Sequence, residues 1–65
     1  MKVFINQVEH ELPLGATLAD AIALLQAKPP FAAAVNLEFV PNKQYARKPL
    51  QHDDRIDIIA PVTGG

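Results

Sequence analysis

Apolar and polar positions alternate near both ends of this chain and recur at helical spacing between them. Lys2-Val3-Phe4-Ile5-Asn6 is short and rich in Val, Phe and Ile, which predicts a strand. Asn6-Gln7 reads as a turn into Val8-Glu9-His10-Glu11-Leu12. There Val8, His10 and Leu12 share one face while Glu9 and Glu11 take the other, the period of a strand with one wet face. Pro13 ends this N-terminal hairpin. After Leu14-Gly15-Ala16, Thr17 is the expected helix N-cap, and Asp20 supplies the acidic side of a capping box and complements the helix dipole. Leu18, Ala21, Ile22 and Leu25 then form one apolar stripe, with Asp20, Gln26 and Lys28 on the wetter side. Pro29-Pro30 is expected to stop this helix after about three turns.

Alanine propensity alone would carry Phe31-Ala32-Ala33-Ala34-Val35-Asn36 into a helix, but the preceding prolines and the Val-Asn end favour a strand. Asn36-Leu37-Glu38 is turn-like and Phe39-Val40 a short extended piece before Pro41. Residues 42–48 show no clean periodicity and leave room for a single helical turn. Pro49-Leu50 is extended, and Gln51-His52-Asp53-Asp54 is a polar turn. Arg55-Ile56-Asp57-Ile58-Ile59-Ala60 is the best strand in the chain. Pro61 withholds a ladder donor, so pairing ends there and the tail leaves the sheet. A hairpin, a helix and further strands make an α+β domain, a mixed sheet with one main helix across one face.

Strand parity locates a second feature. If Ile56, Ile58 and Ala60 face the helix, Ile59 is left on the uncovered face, and Val3 and Ile5 inward leave Phe4 outward. Two large apolar residues on an open face mark a partner-contact patch, against the ordinary alternative of scattered exposed hydrophobics.

Composition narrows the chemistry. With 65 residues the chain makes one domain at most, and a core this small leaves little stability for a deep cleft. The absence of cysteine excludes disulfides, thiolate-bound zinc and thiol catalysis. A net charge of −1 argues against binding nucleic acid or an anionic membrane. No apolar run approaches a membrane span, so a cytoplasmic protein is expected. His10 and His52 lack ligand spacing, and there is no serine, so neither a metal site nor a catalytic residue set is expected. No cofactor is expected. Lys43, Arg47 and Lys48 form a small basic cluster, read as a solvated face or as a docking patch for an acidic partner. Of three glycines, two are Gly64 and Gly65, where no turn requires them.

These residues in this order resemble the ubiquitin-like (β-grasp) sulfur carriers of the ThiS/MoaD family, the thiamine-biosynthesis branch in particular. The resemblance spans the whole chain. It rests on Met1-Lys2-Val3-Phe4-Ile5-Asn6, Leu12-Pro13-Leu14-Gly15-Ala16-Thr17-Leu18, Val35-Asn36 followed by Val40-Pro41, Asp54-Arg55-Ile56, and Gly64-Gly65. Asp53-Asp54 departs from the Gly-Asp usual in the family, and Tyr45 answers an aromatic often found after Val-Pro.

The resemblance implies residues 1–60 as a β-grasp domain and 61–65 as a flexible tail carrying the diglycine. It implies adenylation of the Gly65 carboxylate by a ThiF-like ATP-dependent enzyme, then conversion to a thiocarboxylate by a persulfide donor protein. Sulfur would pass to a ThiG-like thiazole synthase, with Gly64, Thr63 and Val62 read by the partners and Phe4 and Ile59 docking the body. The chain is then a co-substrate and not an enzyme, expected to be monomeric when free. The tail also resembles that of MoaD-like carriers serving molybdopterin synthesis. A non-covalent TGS-like adaptor shares the loop-and-helix start but does not need a terminal diglycine, and a lysine-conjugated modifier shares the activation step.

Overall fold

The computed structural model describes residues 1–59. Five strands form one sheet in the order β2-β1-β5-β3-β4. They are β1 (Lys2–Ile5), β2 (Val8–Glu11), β3 (Ala32–Val35), β4 (Glu38–Val40) and β5 (Arg55–Ile59), with helix α1 (Leu18–Leu25) and a 3-10 helix (Asn42–Arg47). β5 runs parallel to β1 and antiparallel to β3, and both hairpins are antiparallel, so the sheet is mixed as expected.

Two asparagines make the hairpins tight. Asn6 and Gln7 have φ of 51° and 70°, and Asn36 and Leu37 have 51° and 71°. Positive φ at both central residues is the type I′ turn, whose twist matches that of the strands it joins. The second turn is therefore two residues long, and Glu38 begins β4.

Helix α1 starts as read from the sequence: the Asp20 carboxylate accepts the Thr17 N–H at 2.8 Å. Its end differs. The helix stops at Leu25 because Gln26 takes a left-handed conformation, with its N–H on Ala23 O and that of Ala27 on Ile22 O. This closing turn satisfies late carbonyls before the prolines are reached, and the helix is eight residues long. Leu25, assigned to the inward stripe, is 36% exposed, while Leu18, Ala21 and Ile22 are buried. Residues 42–48 hold more helix than the expected single turn, six residues of 3-10 type.

The core lies between the sheet and α1. Val3, Ile5, Leu18 and Ile56 are its most deeply buried large side chains, joined by Ala33, Val35, Val40, Leu50 and Ile58. Val3 and Ile5 of β1 and Ile56 and Ile58 of β5 face inward as parity predicts, and Ala33 and Val35 alternate likewise in β3. Among the described residues no polar side chain is buried, and no helix is long and apolar enough to cross a membrane. Val8 shares the inward face with Ile5 but is exposed at the sheet edge.

Candidate functional site

The central strand β5 is the element that leads to the C-terminal residues, and the local sequence fixes both of its ends. At its start, Asp54 accepts the Gln51 N–H at 2.8 Å and the Asn36 side-chain amide at 3.0 Å. Asn36 Oδ1 accepts the Arg55 N–H at 3.0 Å. At its far end, Asn6 Oδ1 accepts the Ile58 N–H at 2.8 Å, and Asn6 Nδ2 donates to Ile58 O at 3.2 Å. Both turn asparagines thus act as extra strand partners, a use their short amide side chains permit.

The lead-in turn explains the Asp53 departure. Asp53 has φ of 70°, the left-handed region where glycine carries no steric penalty and Asp is tolerated. Its N–H donates to Lys2 O at 2.7 Å, and its carboxylate lies 3.7 Å from Lys2 Nζ and 3.5 Å from His52 Nε2. Just before β1, the terminal ammonium of Met1 pairs with Glu11 at 2.7 Å. The hydrogen bond from that ammonium, reinforced by its charge, holds the Glu11 carboxyl below the usual carboxylate range.

The open face of the sheet has two unlike halves. Phe4 lies at the Arg55 end, half-buried, with Lys2 Nζ 5.5 Å and Arg55 Cζ 5.7 Å from its ring centroid. Ile59 lies at the other end, 64% exposed, opposite Ala32. Arg55 and Ile59 stand four residues apart on one strand, about 13 Å. Phe4 and Ile59 therefore share the face but not one patch. Ile59 pairs with Ala32, and one row nearer the middle of the face Ala34 lies between Asp57 and Phe39, which is 68% exposed. Phe39 was missed in the sequence because its turn was read as three residues; a two-residue turn pairs it with Ala34 and puts it on the open face.

A shallow groove of about 500 Å³ between Phe4, Leu37 and Arg55 contains no acid–base pair set for catalysis. Among the described residues no three His, Asp or Glu side chains are grouped to hold a metal ion. Lys43, Arg47 and Lys48 lie on and just after the 3-10 helix. Val62, Thr63, Gly64 and Gly65, together with Ala60 and the expected tail, fall outside the described residues.

The model of the ThiS family matches residues 2–65. The chain belongs to the ThiS family. The match runs through the diglycine and covers, Met1 apart, every motif that carries the resemblance. Among solved structures, the thiamine biosynthesis protein ThiS from Geobacter metallireducens superposes with a TM-score of 0.81 at 12% identity, covering 100% of both chains. At that identity the likeness establishes the shared β-grasp fold. No curated protein matches the chain.

Proposed function

We propose that this ThiS-family chain is a sulfur carrier for thiamine thiazole synthesis, with Gly65 as the atom-bearing end. The observation that carries the reading is the family match extending through Gly64-Gly65, on a fold whose central strand leads into those residues. A ThiF-like enzyme would join the Gly65 carboxylate to AMP from ATP, releasing pyrophosphate. A protein persulfide then attacks the acyl carbon and displaces AMP, and a thiol cleaves the resulting S–S bond to leave the thiocarboxylate. Glycine suits the position because it has no Cβ to hinder attack on the carbonyl. Five residues can span about 17 Å when extended, reach enough for Gly65 to enter a partner while the body stays outside.

In this reading residues 1–60 are the docking body and 61–65 the tail. Gly64, Thr63 and Val62 are the residues that partner channels read. Ile59 and Phe4 contact partners from the open face, and Phe39 extends the Ile59 half of that surface. The protein is a co-substrate, and catalysis belongs to the ThiF-like enzyme and the ThiG-like thiazole synthase.

The test is reconstitution. Pyrophosphate release by a ThiF-like enzyme should depend on this chain, and the loaded chain should support product formation by thiazole synthase. Transfer only to the large subunit of molybdopterin synthase would move the protein to the other pathway. Tight binding to partners with no pyrophosphate release would make it an adaptor.

A further inference from the structure

Strand β1 supports β5 for only part of its length. Their paired residues are Phe4 with Arg55 and Ile5 with Ile56, after which β1 turns away at Asn6. The last backbone bond of that ladder runs from Asn6 N–H to Ile56 O at 2.8 Å. On the other side β3 continues, pairing Ala33 with Ile58 and Ala32 with Ile59. The Ile58 N–H and C=O therefore face the side where the neighbouring strand has ended. The Asn6 amide meets both, accepting the one at 2.8 Å and donating to the other at 3.2 Å. One side chain thus replaces the missing peptide group.

We propose that Asn6 is a positioning residue for the C-terminus: its amide holds β5 extended through Ile58 and so sets the direction of the strand at Ile59, from which the terminal residues continue. The role rests on the carrier reading, since a direction matters only if the terminus is delivered to a partner. A misplacement of ~1 Å at a reacting group can cost about 100-fold in rate, so the strand end that presents the terminus must be held in place.

Asn36 is the internal control. It occupies the matching position of the second type I′ turn, but its side chain bonds Arg55 N–H and Asp54 at the start of β5. Glycine at either site keeps the left-handed backbone and removes the amide.

The experiment compares wild type, Asn6→Gly, Asn6→Asp and Asn36→Gly, with folding checked by circular dichroism. Adenylation kinetics with a ThiF-like enzyme and amide hydrogen exchange at Ile58 are the two readouts. Asn6→Gly should expose the Ile58 amide to exchange and lower kcat by about tenfold, with KM for the carrier within about twofold. Asn6→Asp retains the acceptor for Ile58 N–H and should recover part of the rate, while Asn36→Gly should leave both readouts near wild type. An unchanged kcat in Asn6→Gly, or an equal fall in Asn36→Gly, overturns the role of Asn6. A wild-type chain that is not adenylated by an enzyme competent on another carrier overturns the carrier reading itself, and the role of Asn6 with it.

Discussion

The two ends of β5 are built to different purposes. The Arg55 end is dense with polar contacts: Asp54 ties down Gln51 and Asn36, Asp53 meets Lys2, and Arg55 and Lys2 approach the Phe4 ring. Toward the Ile59 end, Ile59 opposite Ala32 and Phe39 opposite Ala34, in the row of Asp57, are both well over half exposed. Polar satisfaction secures the start of the strand, and apolar surface is left uncovered toward Ile59. An exposed apolar group on the strand that precedes the terminus fits a body that is docked while its terminus is handled elsewhere.

That contrast can be broken at several levels. The largest effect is expected at the terminus: deleting Gly65 should abolish sulfur loading while the thermal unfolding midpoint stays within the scatter of the wild type. Next comes the apolar end. Ile59→Asp and Phe39→Asp should each weaken binding to the activating enzyme by about 2 kcal/mol, the scale of an interface hot spot, in calorimetric titration. Phe4→Asp should cost less, because two cations flank the new carboxylate. A larger loss at Phe4 than at Ile59 would reverse the assignment of the two halves.

Smaller effects test the polar end. Leu37 is 90% exposed at φ of 71°, a conformation that penalises a branched side chain. Leu37→Gly should therefore raise stability by about 1 kcal/mol in urea unfolding. Asp53→Gly relieves a like conformation but loses the contacts to Lys2 and His52, so its gain should be smaller than that of Leu37→Gly. The least effect concerns acid. The Glu11 carboxyl is held below its ordinary range, so its contribution is present above the unfolded-state pKa and is lost as pH falls through the lower folded-state pKa. Glu11→Gln should flatten that acid-side slope and leave the stability–pH profile parallel to wild type near neutrality.

Most of the fold was legible because its strands alternate strictly and its helix begins on a strong cap. Val3, Ile5, Ile56 and Ile58 are buried where parity put them, and Thr17 with Asp20 marks the helix start. Sequence reasoning stopped short where backbone conformation decides. Gln26 is not a residue that advertises a left-handed cap, so the prolines seemed to end a helix that had already closed. Asn36-Leu37 lacks the glycine that usually signals a two-residue hairpin, and the turn was read one residue too long. That single residue hid Phe39 from the open face. The part played by Asn6 was invisible for another reason: its hydrogen bonds reach a residue 52 positions away.

The central claim is that Gly65 carries sulfur. Intact-mass spectrometry with fragmentation, after incubation with ATP, a ThiF-like enzyme and a persulfide donor, tests it most directly. The predicted result is the exchange of one oxygen for sulfur, confined to Gly65 and dependent on ATP. An unaltered mass, under conditions where a control ThiS-family chain is converted, would contradict it.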